Sequence, residues 1–240
     1  MPEKTHREVK QPQISARALA DFMAASETAK RTIVRGCKYQ SRARVVQHTE
    51  AKLAVGKFLR SGAADTAPLA AKAAELKARL SDTDFDRDLF DHNADYINRF
   101  VAVFGKIDLP DAERMPPGPV LTTMINGVKV TTELHLRLRR LTKTNKIRSG
   151  AAMLRYAKGK PLSEAIADWQ AAFLFGWLTS LGSDDGSEPE RPLCLTIDAQ
   201  SGHVHPAPGD AMRRYKHMMA ACETIAERWP NIAPPPGAGL

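Results

Sequence analysis

The stretch that decides the fold is VTTELHLRLRRLTKTNKIRSGAAMLRYAK, Val130 to Lys158. Its first third alternates: Val130, Thr132, Leu134, Leu136 and Leu138 share one side of an extended chain, and Thr131, Glu133, His135, Arg137 and Arg139 share the other. A two-residue period in β-branched and aliphatic side chains predicts a strand. Thr142 to Asn145 read as a polar turn and Lys146 to Lys158 as the returning strand, so the whole is expected to be a β-hairpin. It is also the most basic part of the chain. From Lys129 to Lys160 ten Lys and Arg face one acid, Glu133, giving this segment +9 where the 240-residue chain carries +8. The rest of the protein is therefore close to neutral, and charge focused in this way points to a polyanion surface. A hairpin whose cations only keep a sheet edge from aggregating would carry the same residues.

Outward from the hairpin, the N-terminal half reads as helices. Ser15 is a suitable N-cap, with Leu19, Phe22, Met23, Ile33 and Val34 on one apolar face. A second helix is expected over Arg42 to Arg60, a third on Leu69, Ala73, Leu76 and Leu80, and a fourth after Ser81 that stops at Gly105. The four prolines in 108–120 exclude a helix there. Beyond the hairpin come a helix marked by Leu162, Ile166, Trp169, Phe173, Trp177 and Leu181, a strand from Leu193 to Ile197, and a helix from Asp210 to Trp229. The expected fold is α+β: an N-terminal helical region (1–107), a Pro-rich linker (108–120), a small mixed sheet with flanking helices (121–229) and a disordered tail (230–240).

Composition narrows the function. Hydrophobic residues make up 43%, no apolar run is long enough to span a bilayer, and three cysteines (Cys37, Cys194, Cys222) fit a reducing compartment, so a cytoplasmic protein with no membrane partner is expected. The acidic run Asp82, Asp84, Asp86, Asp88 lacks the Gly and Glu of a calcium loop, having Arg87 and Asn93 in those places, and suits the first turn of a helix. His203 and His205 share a side of an extended segment near Asp198 without a third spaced ligand. Phosphate-binding glycine loops, zinc-protease and esterase motifs are missing.

The order strand, strand, helix, strand from Val130 onward, with Glu133 on the first strand, Lys158 at the end of the second and Gln170 on the helix, resembles the PD-(D/E)XK nuclease superfamily, in particular its RecB-like branch. The opening ISARALADF is similar to the N-terminal helix of that branch. The resemblance covers roughly residues 120 to 225 and implies a restriction-endonuclease-like core. It implies catalytic positions at Glu133 for the first acid, Lys158 for the lysine and Gln170 for the helix glutamine, with Mg²⁺ as cofactor if the site is active. The chain departs from the pattern at two places. Tyr156 stands where the second acid belongs, and Leu174 where the branch has a tyrosine. The metal ligands are thus unknown, and no cofactor is called for by the residues themselves.

The resemblance implies a nuclease-like module that kept its nucleic-acid surface and lost its second carboxylate. Phosphates would meet Arg137, Arg139, Arg140, Lys143, Lys146, Arg148 and Arg155, with Tyr156 stacking on a base or sugar. DNA ranks ahead of RNA as partner, and other proteins of a processing or defence assembly fit beside it. Two alternatives stay open. An active nuclease would draw its second acid from Asp168 or Glu113. A helical DNA-binding regulator would use ISARALADFMAASETAKRTIVRG, with its break at Ala25 to Thr28 and a second basic run of Arg31, Arg35, Lys38, Arg42 and Arg44.

Overall fold

The computed structural model describes residues 5–42, 48–182 and 185–239. In chain order the elements are β1 (His6–Glu8), β2 (Gln13–Ser15), α1 (Ala16–Ala24), α2 (Glu27–Lys38), β3 (Tyr39–Ser41), α3 (Thr49–Ser61), α4 (Ala67–Ala78), α5 (Asp84–Val103), β4 (Glu113–Met115), β5 (Leu121–Ile125), β6 (Val128–Thr132), β7 (Leu136–Leu141), β8 (Ile147–Arg155), α6 (Glu164–Leu181), β9 (Glu188–Asp198), β10 (Val204–Pro206) and α7 (Ala211–Arg228). The architecture is α+β, as the composition of periods implied.

The main sheet has the order β10-β9-β8-β7-β4. All its neighbours are antiparallel except β8 and β9, which α6 joins as a crossover. Both faces are covered. Leu136, Leu138, Ala152, Leu154, Leu193, Leu195 and Ile197 pack beneath α3, α4 and α5, while Ala151, Met153 and Cys194 pack beneath α1, α6 and α7. Burial on both sides explains why β8 carries the unbroken apolar run Ala151 to Leu154. A small second sheet, β2-β6-β5, completes the α6 side.

Local chemistry sets the helix ends. Ser15 Oγ accepts from Ala18 N at 3.1 Å, Ser26 caps α2, and Thr83 Oγ1 accepts from Asp86 N at 3.1 Å, which places the acidic run in the first turn of α5. α6 and α7 approach closely because residue 176 is glycine: a β-carbon there would lie 2.2 Å from Tyr215 Cγ.

Several expectations are corrected. The alternating run Val130 to Arg139 is two strands in two sheets, broken at Glu133 to His135. Leu134 enters one core and Leu136 the other, with His135 between them also buried, because the chain passes from one face of the main sheet to its opposite. Part of the Pro-rich linker is β4, an edge strand paired with β7. The helices before residue 107 share a core with the sheet. Leu80 lies past the end of α4 and is 93% exposed. The tail is ordered by pairing: His6 N donates to Gly239 O at 3.0 Å and Gly239 N to Thr5 Oγ1 at 2.9 Å. No helix among the described residues is long and apolar enough to cross a membrane.

Candidate functional site

β8 ends at Arg155, and the chain after it leaves the sheet. Arg155 itself turns inward. Its Nη1 donates to Gln170 Oε1 at 3.1 Å and to the Arg17 carbonyl at 3.3 Å, and its Nη2 pairs with Asp21 Oδ1. Burial lowers the guanidinium's pKa, and Asp21 opposes that shift. Gln170 is wholly buried, and its Nε2 meets no protein partner. The polar residue in the apolar stripe of α6 therefore does face the end of the second hairpin strand, but it meets Arg155 instead of Lys158.

That contact fixes which side chains share the site face of β8. Residues two apart share a face, so Met153 lies on the same face of β8 as Arg155. Met153 is buried in the core. A thioether and an already paired guanidinium do not fit a divalent cation, which needs hard oxygen ligands. Among the described residues no three His, Cys, Asp or Glu side chains gather as a metal group.

The other expected positions lie elsewhere. Glu133, at the break between β6 and β7, accepts from Lys52 Nζ at 2.8 Å and lies 3.9 Å from His135 Nε2. Burial raises its pKa, but Lys52 outweighs this and the net shift is downward. His135 is buried, accepts from Leu154 N through Nδ1 at 3.3 Å, and is pushed down to about 4 by burial. Lys158 projects into solvent and pairs with Asp95 at 2.6 Å. Among the described residues no hydrogen bond or ion pair joins any two of Glu133, Lys158 and Gln170. Asp168 is held by Arg214 at 3.4 Å. Glu113 lies on β4, in register with Arg139 of β7.

Two expected nucleic-acid contacts are corrected by burial. Arg155 is consumed by Asp21 and Gln170, and Tyr156 stacks on Tyr96 at 4.2 Å with His48 edge-on at 5.3 Å. Of the hairpin cations, Arg140 forms a two-point pair with Glu190, Arg148 pairs with Glu188, and Arg139 lies 3.7 Å from Asp185. β9 thus lays acids beside the hairpin that are distant in sequence. Arg137, Lys143 and Lys146 stay exposed, with no ion pair among the described residues.

Beside Arg155 opens a cleft of about 530 Å³. Arg17 and Lys160 stand on its walls, exposed and without ion pairs among the described residues, and Ser163 brings the N-terminus of α6 to it. Asp198 lies at its floor, its carboxylate accepting from Leu162 N (3.0 Å), Gln200 N (2.9 Å) and Ser201 Oγ (2.5 Å). The cleft therefore presents its uncompensated cations at the mouth.

One member of the second basic run is structural, while Arg31 and Arg42 are exposed and Arg35 is half-buried. Lys38 is buried and donates to backbone carbonyls, and Arg44 lies outside the described residues. α1 and α2 are separated by Ala25 and Ser26, as the polar break implied, and α1 is packed against α6. His203 and His205 sit 6.2 Å apart between ring centres. No protein-family model matches the chain, and no curated protein matches it.

Proposed function

We propose that the chain binds nucleic acid, DNA ahead of RNA, on a restriction-endonuclease-like core that no longer cleaves. It would act as a cytoplasmic module of a larger processing assembly. The observation that carries this reading is the contact of Gln170 with Arg155 inside the order β7, β8, α6, β9. A nuclease of this type has a metal-holding carboxylate and, two residues on, a lysine beside that glutamine; here Met153 and Arg155 occupy those places, with the guanidinium's charge already answered by Asp21. Arg17 and Lys160 at the cleft mouth are the cations there that remain for phosphate. Arg137, Lys143 and Lys146 extend the surface along the hairpin. Free thiols at Cys37, Cys194 and Cys222 accord with a reducing compartment.

The test is a cleavage assay on single-stranded and duplex DNA and on RNA with Mg²⁺ or Mn²⁺, run beside a binding titration. Binding without cleavage is expected, in EDTA as well as in millimolar Mg²⁺. The melting temperature should not move with either metal, since an ion that binds only the folded state would raise it. Metal-dependent cleavage lost in Glu133→Ala would instead establish an active nuclease.

A further inference from the structure

A groove of about 270 Å³ runs between α2, α7 and the chain that follows α7. Its floor is apolar, made by Phe22, Val34, Ile225 and Ile232. Its rim is cationic. Arg31, Arg35 and Arg228 carry no ion pair among the described residues, and Lys30 is paired at 2.7 Å with Glu27, the one carboxylate among the lining residues. Lys30, with Arg228 and Arg31 nearby, holds the Glu27 carboxyl below its usual range.

The outer wall is fixed by a buried lysine. Lys38 Nζ donates to the carbonyls of Trp229 (2.9 Å), Pro230 (3.2 Å) and Ile232 (3.2 Å), and the Tyr39 hydroxyl donates to Ile232 O at 2.9 Å. The segment that composition marked as a loose tail is thereby tied down as one side of the groove. A wall ordered before a ligand arrives removes part of the entropy cost of binding.

We propose that this groove docks a short acidic segment of a partner protein, with one aliphatic or aromatic side chain seated on the floor and carboxylates on Arg31, Arg35 and Arg228. Guanidinium forks match carboxylates in two-point hydrogen bonds, and an apolar anchor ringed by charge is how small docking motifs reach useful affinity. A nucleic-acid strand would also be drawn to the rim, but its backbone gains nothing from an apolar floor. The one aromatic ring there, Phe22, already has Lys30 Nζ 5.5 Å from its centre, so a base stacking on it would compete with that cation. The inference does not depend on the nuclease-like reading.

The experiment pans a random peptide display library on the full chain, with depletion on the variant Arg31→Glu, Arg35→Glu, Arg228→Glu. Enriched peptides and a single-stranded oligonucleotide are then titrated against the wild type, that variant and Ala233→Trp. Ala233 is an exposed lining residue, so the tryptophan plugs the groove and leaves every charge in place. Expected are peptides that cluster Asp and Glu around one Leu, Ile or Phe and bind both variants at least about tenfold more weakly, with oligonucleotide affinity unchanged in Ala233→Trp. Failure to enrich peptides, enrichment without acidic bias, or equal binding to Ala233→Trp would overturn the proposal. So would an oligonucleotide that loses as much affinity as the peptides in Ala233→Trp, which would give the groove to nucleic acid.

Discussion

Arg155 is a cation held inside the protein by one carboxylate, one amide oxygen and one backbone carbonyl. Removing a partner from such a group leaves charge uncompensated in a poorly solvated place, so Asp21→Ala should cost about 3 kcal/mol in a denaturant titration. A cost near zero would mean that the pair is solvated and the site is not locked. His135 offers a test by pH. Its folded pKa, about 4, lies below the ordinary 6.5, so the unfolded chain takes up a proton first as pH falls. The stability that neutral His135 contributes is complete above pH 6.5 and is lost as pH drops from 6.5 towards 4. Wild type should lose about 3 kcal/mol more than His135→Gln across that window. Parallel curves would remove His135 as the cause. Gln170 was legible in the sequence as a polar residue in an apolar stripe. Its partner was not, because nothing local in LRYAK tells where β8 stops. Three residues of register separate Arg155 from Lys158, and Asp21 and Arg17 look like an ordinary surface pair one helical turn apart.

The elements were legible wherever one face is buried and the other wet. The caps at Ser15 and the Gly62 stop of α3 follow from residue type, and α5 begins where its acids suit the dipole. The break between β6 and β7 was hidden, because the alternation of apolar and polar residues in the sequence continues through Glu133 while the core they meet changes. Close approach of two elements is equally silent in sequence until a glycine is matched to a partner. Gly176 sits where α6 meets α7, and the β-carbon of Gly176→Ala would fall within 2.2 Å of the Tyr215 ring. That variant should lose about 2 kcal/mol or more by thermal or chemical unfolding, although alanine favours helices by about 1 kcal/mol. A neutral or stabilising result would show that the two helices can separate.

At the scale of the whole molecule, the +9 of residues 129–160 is a property of the sequence and only partly of the surface. β9 returns Glu188 and Glu190 to Arg148 and Arg140, α5 returns Asp95 to Lys158, and α1 returns Asp21 to Arg155. Pairings at such separations cannot be read from a charge tally. Together with Asp185 beside Arg139 they reduce the seven cations expected to meet phosphate to three, Arg137, Lys143 and Lys146. The salt dependence of binding counts those contacts directly, because each neutralised phosphate releases counterions. The deciding measurement is therefore fluorescence anisotropy of labelled duplex and single-stranded DNA between 50 and 300 mM salt, in EDTA, on the wild type and on Arg137→Ala, Lys143→Ala, Lys146→Ala. The predicted contribution of these three side chains to the slope of log K against log salt is about −3 for duplex and about −2 for single strands, and it should vanish in the triple variant. Affinity that is flat across this range, or a slope that the triple variant leaves unchanged, would contradict nucleic-acid binding by this hairpin.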